Sequence, residues 1–257
     1  MARVFITGSA DGLGLMAGQL LASQGHRVVL HARNDARAAD VRQAAPKTEA
    51  VVIGDLATIA STKDVAAQVN ALGSFDAVIH NAAVGYREGH RLTSDGLLHV
   101  FAINVAAPYI LTTLIERPKR LVYLSSGMHD RADAHLDDIL WRKRSWDGSA
   151  AYAESKLYDV MLAFAVARLW PDVLSNALTP GWVPTKMGGA SAPDDINQAH
   201  LTQAWLATSD DPAARTTGGY FYHLKRREPN PEARDVALQD RLLDICREIS
   251  GVELPRP

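Results

Sequence analysis

The segment Arg3-Val-Phe-Ile-Thr-Gly-Ser-Ala-Asp-Gly-Leu-Gly14 decides the fold of this 257-residue chain. Its first four residues predict a short apolar strand, and a glycine-rich turn follows at once. Residues 15–22 have helical periodicity, and Gly25 is placed to end that helix. A second apolar strand, residues 27–31, completes a βαβ unit.

The glycine-rich turn predicts a binding site for a pyrophosphate. Free backbone N–H groups and the dipole at a helix N-terminus both attract anions. Gly8, Gly12 and Gly14 stand where a side chain would block the tight turn or the approach of the phosphate. The alternative is a glycine turn with a purely structural role.

Strands and helices alternate along the rest of the chain. This pattern predicts an α/β fold with a doubly wound parallel sheet of about seven strands and helices on both faces. Ligands then bind at the carboxyl ends of the strands. The predicted strands cover residues 3–6, 27–31, 50–53, 77–80, 121–125, 173–178 and 219–222. The predicted helices cover residues 11–24, 35–44, 61–70, 94–115, 152–169, 197–208 and 235–249.

Composition favours a single globular domain over residues 1–257. Hydrophobic residues make up 47% and charged residues 22%, and no linker or low-complexity run divides the chain. The formal net charge of −2 argues against nucleic-acid binding. No apolar run is long enough to span a membrane, and the first strand leaves no length for a signal peptide. The single Cys246 suits a reducing compartment, so we expect a cytoplasmic protein.

Tyr152 and Lys156 lie four residues apart in a predicted helix. That spacing puts their side-chain origins about 5–6 Å apart on one face. Free tyrosine titrates near pH ~10, and a unit charge about 4 Å away supplies roughly 4 kcal/mol at an effective dielectric near 20. The lysine is therefore predicted to lower the pKa of the phenol and make it usable for proton transfer. The alternative is an exposed helix face without a function.

The glycine spacing resembles the TGxxxGxG motif of the single-domain short-chain dehydrogenase/reductase family. Further resemblances follow in the family's order along the chain, from Val4 to about Gly251. They are Asp55-Leu56, His80-Asn-Ala-Ala-Val-Gly85 with His80 in place of the first Asn of NNAG, Asn104, Ser126, the YxxxK pair of Tyr152 and Lys156, and Thr179-Pro-Gly-Trp-Val-Pro-Thr185. The resemblance implies a Rossmann-type fold.

The resemblance also implies a catalytic tetrad of Asn104, Ser126, Tyr152 and Lys156. Ser126 would bind the substrate oxygen, Tyr152 would exchange the proton, and Lys156 would also reach the nicotinamide ribose. Asn104 would help to hold a water that links Lys156 to solvent. Ser126 is chosen over Ser125 by alignment with the family, because successive strand side chains alternate faces.

Each of these residues has a plainer alternative. Ser126 can be a turn hydroxyl, Asn104 can satisfy a kink in its own helix, and Asp55 can be a helix cap.

The cofactor-binding residues implied by the resemblance surround the strand ends. They are Thr7, Gly8, Asp11, Gly12, Leu13, Gly14, Arg33, Asn34, Asp55, Leu56, Asn81, Ala82, Ala83, Tyr152, Lys156, Pro180, Gly181, Trp182, Val183 and Thr185.

The end of the second strand favours NADP over NAD. NAD-binding domains carry a carboxylate about 20 residues after the glycines, but this chain reads His31-Ala-Arg-Asn34. Arg33 is available for a 2′-phosphate, which a guanidinium binds well. The alternative is a surface arginine without a partner. Asp11 argues against NADP, since family members that use NADP often carry a neutral or basic residue there.

The 26 residues from Ser126 to Tyr152 are about twice the usual separation in the family. In this insert, residues 127–150, the chain is similar to retinol-dehydrogenase-like and WW-domain-oxidoreductase-like members. We expect the insert to lie over the substrate mouth. Trp141 and Trp146 either line an apolar pocket there or pack against the core, and Trp182 and Met187 have the same two interpretations.

The predicted function is hydride transfer between NADP(H) and a carbonyl or secondary alcohol of a small molecule. The alternative is a non-catalytic NADP(H)-sensing regulatory protein of the same fold, which would not need Ser126 and Tyr152 together. No metal site is predicted. The resemblance also implies a homodimer or homotetramer that pairs through the helices holding Asn104 and Tyr152.

Overall fold

Eight strands form one sheet in the computed structural model, which describes residues 1–256. They are β1 (Arg3–Ile6), β2 (Arg27–Ala32), β3 (Ala50–Ile53), β4 (Ala77–His80), β5 (Arg120–Leu124), β6 (Leu174–Leu178), β7 (Gly219–Tyr222) and β8 (Lys225–Arg227). Their order in the sheet is β3-β2-β1-β4-β5-β6-β7-β8. The first seven strands run parallel, and β8 pairs antiparallel with β7. The Rossmann-type fold is confirmed.

Nine helices are present over the described residues 1–256. They are α1 (Gly12–Ser23), α2 (Asp35–Ala44), α3 (Ile59–Ala71), α4 (His99–Phe101), α5 (Ala107–Leu114), α6 (Gly148–Leu169), α7 (Ile196–Ala199), α8 (Leu201–Thr208) and α9 (Val236–Ser250). A π-helical turn, Ala102–Ala106, joins α4 to α5. Three 3₁₀ turns cover Gly127–Arg131, Leu136–Asp138 and Pro231–Arg234.

Apolar side chains cover both faces of the sheet, as parallel strands require. On one face Val4 and Ile6 of β1 pack with Leu21 of α1 and Leu206 of α8. On the other face the core includes Phe5 of β1 and the apolar sides of α3, α5 and α6. The alternation of side chains along β1 therefore supplies both layers.

The structure corrects the predicted elements at three points. The eighth strand, β8, was not predicted because Lys225-Arg-Arg227 is exposed and basic. The helix predicted over 94–115 begins only at His99, because Thr93 and Leu97 close a turn before it. The helix predicted over 197–208 is two helices that meet at His200.

Candidate active site

The glycine-rich turn lies against the carboxyl end of β4. Gly8 and Gly12 have φ angles of +59° and +55°, in the left-handed region that favours glycine. A Cβ on Gly8 would lie 2.6 Å from the Cα of Ala82. The glycines are therefore required by backbone conformation and by close approach between the turn and residues 81–82.

Thr7 and Asn81 fasten that turn to β4. The Thr7 hydroxyl oxygen accepts hydrogen bonds from the backbone N–H groups of Asn81 and Ala82, each at 3.0 Å. The Asn81 amide donates to the carbonyls of Thr7 at 3.0 Å and Gly8 at 2.9 Å. Thr7 is buried. Its role is to shape the turn, and it lies outside the lining of the cleft beside it.

The cleft at the carboxyl ends of the strands has a volume of about 1430 Å³. It collects most of the residues predicted to bind a cofactor. Those in its lining are Gly8, Asp11, Gly12, Leu13, Arg33, Asp55, Leu56, Asn81, Ala82, Ala83, Tyr152, Lys156, Pro180, Gly181, Trp182, Val183 and Thr185. The exceptions are Thr7, Gly14 and Asn34.

Gly14 and Asn34 lie next to the cleft but outside its lining. A Cβ on Gly14 would lie 2.5 Å from the amide nitrogen of Asn81, so this glycine allows α1 to approach β4. Asn34 is the N-cap of α2, where its side-chain oxygen accepts from Arg37 N–H at 3.0 Å. Capping occupies the side-chain oxygen of Asn34, and contact between this residue and the cofactor stays a prediction.

Asp55 is exposed in the cleft lining. Its carboxylate accepts from the backbone N–H of Ala57 at 3.0 Å. The N-cap of α3 is Thr58, and the carboxylate of Asp95 accepts from the Ile59 N–H at 2.7 Å. The alternative interpretation of Asp55 as a helix cap is therefore wrong.

Two arginines follow β2, and they differ in their partners. Arg33 is exposed in the cleft lining, and no ion pair to it is present within residues 1–256. Arg37, which the sequence interpretation missed, lies 2.7 Å from the Asp11 carboxylate and 2.9 Å from that of Asp40. Asp11 therefore engages Arg37 and leaves Arg33 as the unpaired guanidinium at this end of the cleft.

His31 was also missed, although it stands at the end of β2 where nucleotide specificity is set. Its Nδ1 accepts from the Gly8 N–H at 3.0 Å, and its Nε2 lies 2.8 Å from the Gly54 carbonyl oxygen. This pattern needs a neutral ring with the proton on Nε2. Burial lowers the pKa of His31 and so stabilises that form. The imidazole thus ties the glycine-rich turn to β3.

Tyr152 and Lys156 lie on α6, which begins at Gly148 because the Asp147 carboxylate caps its first turn. The Lys156 ammonium lies 5.8 Å from the centroid of the Tyr152 ring. It donates to the Leu124 carbonyl at 2.8 Å and to the Asp159 carboxylate at 2.7 Å. The two predicted residues therefore share the cleft, and Lys156 has a buried anionic partner.

The electrostatic balance at Tyr152 differs from the one predicted. Burial raises the pKa of the phenol and is the largest effect, while the charge of Lys156 and a hydrogen bond to Ser126 lower it. The net direction is upward. The prediction of a lowered pKa is corrected, because it neglected the desolvation of a phenol that is only 7% exposed.

The two serines after β5 point in different directions. The Ser125 hydroxyl is buried and donates to the Lys156 backbone carbonyl at 2.7 Å. The Ser126 hydroxyl faces the Tyr152 phenol and accepts from the Met128 N–H at 3.3 Å. Ser126 is therefore the serine that presents its hydroxyl to the tyrosine.

His129 fixes the backbone of Ser126, a relationship that the sequence did not reveal. The ring is fully buried. Its Nε2 lies 3.3 Å from the Asn230 backbone nitrogen and 3.2 Å from the Asp130 carboxylate, and its Nδ1 donates to the Ser126 carbonyl at 2.7 Å. Burial lowers the pKa of His129 and stabilises the neutral ring.

Asn104 lies in the π-helical turn and is fully buried outside the cleft lining. Its side-chain oxygen accepts from the Val84 N–H at 2.9 Å, and its nitrogen donates to the Val84 carbonyl at 3.1 Å and the Ser155 hydroxyl at 2.9 Å. The side chain joins the cleft wall to α6. π-Helical turns are frequent at functional sites, and both the kink and the tetrad interpretation fit this position.

The insert reaches the cleft only through its two ends, with Gly127, Met128 and Ser149 in the lining. Trp141 is buried, and its Nε1 donates to the Glu154 carboxylate of α6 at 3.1 Å. The Trp146 ring packs against it with centroids 5.4 Å apart. The tryptophans therefore pack against the core, and the expectation that the whole insert covers the substrate mouth is corrected.

The other end of the cleft is partly apolar and partly charged. The Met187 sulfur lies 3.8 Å from the Tyr152 hydroxyl. Trp182, also in the lining, is 52% exposed. Across the cleft, His99 lies 3.0 Å from the Glu88 carboxylate and 3.3 Å from the Arg91 guanidinium. A ligand beside Tyr152 would therefore meet both a thioether and polar groups.

Comparison with known proteins agrees with this geometry. The family model for short chain dehydrogenase matches residues 2–120. An uncharacterized oxidoreductase of Emericella nidulans is 44% identical over 99% of both chains. The short-chain dehydrogenase chry4 of Gibberella zeae is 39% identical over the full length of both chains. Human retinol dehydrogenase 13 is 28% identical over 98% of this chain and 85% of its own.

Solved structures show the same fold. A protein of Mycobacterium paratuberculosis superposes with a TM-score of 0.85 at 24% identity, covering 99% of this chain and 95% of that one. A blue fluorescent protein from a metagenomic library, solved in complex with NADPH, has a TM-score of 0.69 at 22% identity. It covers 86% of this chain and 95% of that one.

Fold and relatives together define an oxidoreductase with a nucleotide-binding cleft at the carboxyl edge of a parallel sheet. The chain belongs to the short-chain dehydrogenase family, whose members use NAD(P). Over residues 1–256, no helix is both long and apolar enough to cross a membrane. The same part of the chain contains no cluster of side chains suited to a metal ion.

Proposed function

We propose that this enzyme transfers a hydride between NADP(H) and a carbonyl or secondary alcohol of a small molecule. The observation that carries the proposal is the arrangement of Ser126, Tyr152 and Lys156 at one end of a cleft whose other end is the glycine-rich turn. A dinucleotide laid along the cleft would bring its nicotinamide to the tyrosine.

The cofactor end of the cleft fits a phosphate-bearing dinucleotide. Among residues 1–256, no atom beyond its chain neighbours lies within 4 Å of the position that a Cβ on Gly12 would take, and α1 presents its N-terminus there. Arg33 supplies the unpaired guanidinium for a 2′-phosphate, and β2 ends without a carboxylate that would favour NAD. These features support NADP as the cofactor. Asp11, in the glycine-rich turn, is the one residue here that argues against it.

The cofactor and the side chains of the site have separate roles in the reaction. The bound cofactor supplies the hydride. Ser126 donates a hydrogen bond to the substrate oxygen, and Tyr152 gives that oxygen a proton in reduction or takes one in oxidation. Lys156 stabilises the ionised phenol electrostatically and binds the nicotinamide ribose. Asn104 holds α6 against the wall of the cleft through Ser155 and Val84.

We propose that subunits do not pair through α6. All sixteen residues of α6 from Ala151 to Val166 are buried within the single chain. The sheet lies on one side of α6, and α9 with the Pro231–Arg234 turn contacts it elsewhere. We propose that these elements replace a subunit contact on this helix.

The test is oxidation of NADPH, followed at 340 nm, across aldehydes, ketones and quinones, with NADH in parallel. The wild-type enzyme should turn over at least one carbonyl class, and Tyr152→Phe should not. Tight NADPH binding without turnover of any compound would instead support the sensing alternative.

A further inference from the structure

Lys156 and Asp159 form a buried ion pair within α6. The ammonium nitrogen lies 2.7 Å from the carboxylate, and both side chains are only 3% exposed. The same ammonium donates to the Leu124 carbonyl at 2.8 Å. Two of its three hydrogens are therefore committed to the protein.

The surroundings of Asp159 hold no second positive partner among the described residues. Tyr123 of β5 faces it, and burial together with the Asp159 charge raises the pKa of that phenol. The Tyr123 hydroxyl is bonded to Thr112 of α5 at 2.7 Å. The His80 ring of β4 packs at a tilt against the Tyr123 ring, with centroids 4.7 Å apart, and burial lowers the pKa of His80 to about 3. Near neutral pH, the carboxylate thus faces uncharged groups and one cation.

A carboxylate this close to the Lys156 ammonium weakens the positive electric field at the Tyr152 hydroxyl. The pair acts as a dipole, whose field falls off with distance faster than that of a single charge. The charge of Asp159 also acts directly on Tyr152 and raises its pKa. Burial raises the pKa of Asp159 to about 6, so the carboxylate is ionised at pH 7 and above.

We propose, resting on the function proposed above, that Asp159 is a positioning residue for the proton-transfer pair. It holds the Lys156 ammonium against the Leu124 carbonyl and cancels part of the positive field at the Tyr152 hydroxyl. Tyr152 then keeps its proton to a higher pH, which suits its role as proton donor in reduction.

The first test is the pH dependence of kcat/KM for ketone reduction, with the best carbonyl substrate from the NADPH screen. Asp159→Asn removes the anion at nearly constant shape. Tyr152 should then ionise more readily, and the alkaline limb should move down by about one pH unit. Asp159→Glu keeps the charge and should keep the midpoint of the wild-type enzyme.

Asp138→Asn is the matched control, because Asp138 is also a buried carboxylate but pairs with Arg144 outside the cleft. Its midpoint should not move. An Asp159→Asn midpoint equal to that of the active wild type, or equal shifts in Asp159→Asn and Asp159→Glu, would overturn the role of the charge.

A second measurement needs neither turnover nor a stable variant of Asp159. In wild-type enzyme labelled with ¹³C-tyrosine, the Tyr152 resonance is assigned by its loss in Tyr152→Phe and titrated by NMR. The inference requires a midpoint above the pH of about 7–8 that the uncancelled field of Lys156 would produce by lowering the free value of ~10. A midpoint near 7–8 would show that the field of Lys156 acts uncancelled, and it would reject the inference whether or not a substrate is known.

Discussion

The Lys186 ammonium lies 2.7 Å from the Asp11 carboxylate, although 175 residues separate them in the chain. Asp11 belongs to the glycine-rich turn, and Lys186 belongs to the segment that follows Gly181 and carries Met187. Both residues line the cleft. Their contact bridges the cofactor end of the cleft and the segment that reaches Tyr152.

This bridge leads to a prediction for cofactor release. Lys186→Ala should free the segment and increase the rate of NADPH dissociation. The lysine side chain is 84% exposed, and exposed ion pairs contribute about 0.2–1 kcal/mol, so the increase should be at most roughly fivefold. Stopped-flow fluorescence measures this rate. Lys47→Ala, an exposed lysine outside the cleft, serves as control. Equal rates in wild type and Lys186→Ala would show that the bridge does not retain the cofactor.

Cofactor choice gives the second prediction. Arg33→Ala should weaken NADPH binding far more than NADH binding, because only NADPH carries the 2′-phosphate. Hydrogen bonds to charged groups are worth about 1.5–3 kcal/mol, or roughly ten- to a hundredfold in Kd. Titration calorimetry with both cofactors measures the ratio. Arg42→Ala changes an exposed arginine of α2 outside the cleft lining and should leave both affinities intact. Equal losses for the two cofactors in Arg33→Ala would point back to NAD.

The third prediction concerns acid stability and His80. Burial lowers the pKa of this histidine from 6.5 to about 3. Below pH 6.5 the unfolded chain therefore binds a proton at His80, whereas the folded protein keeps this histidine neutral down to about pH 3. The contribution of His80 to the free energy of unfolding is therefore fully present above pH 6.5 and is lost as the pH falls toward 3. Between pH 7 and pH 5 the loss from His80 alone should be about 2 kcal/mol.

Urea unfolding at both pH values tests this loss in wild type and in His80→Asn. The variant should show a pH dependence smaller by about 2 kcal/mol, whatever its absolute stability. His90→Asn replaces an exposed histidine and should keep the wild-type dependence. The same slope in His80→Asn as in wild type would mean that His80 does not stay neutral in the folded protein.

The sequence predicted the positions of the site better than the directions of its side chains. Tyr152, Lys156 and the glycine-rich turn are local patterns, and local spacing fixes which residues share a helix face or a turn. Thr7 and Asn34 also occupy predicted positions, but their side chains satisfy backbone N–H groups instead of lining the cleft. A motif specifies where a residue lies along the chain and does not specify its hydrogen-bond partner.

Three functional residues were not predicted from the sequence, for a different reason. His31 contacts Gly8, which lies 23 residues away in the chain. His129 and Asp159 contact partners only three residues away, but their roles depend on burial, which local spacing does not reveal. Burial also reversed the predicted direction of the Tyr152 pKa, because the sequence gives the distance between two side chains on a helix but not their desolvation. Such effects require the packed structure.

The final prediction concerns Tyr152 itself. Tyr152→Phe removes one hydroxyl and keeps the ring that packs edge-on against Tyr86, with centroids 6.2 Å apart. The hydroxyl's one direct partner outside the catalytic set is the Met187 sulfur at 3.8 Å, so the fold and the NADPH affinity should survive its loss. Turnover should fall by about 10²–10⁴-fold, the usual contribution of general acid–base catalysis.

Three measurements on one preparation separate chemistry from structure: thermal unfolding, NADPH fluorescence titration and the steady-state rate. Tyr109→Phe is the control, since it removes a buried hydroxyl that donates to the Val252 carbonyl at 2.8 Å, outside the cleft. That variant should lose some stability but little activity. Tyr152→Phe should show the opposite pattern, because its hydroxyl contributes to proton transfer and little to packing. A Tyr152→Phe enzyme with more than about a tenth of wild-type activity would contradict the assignment of Tyr152 as proton donor.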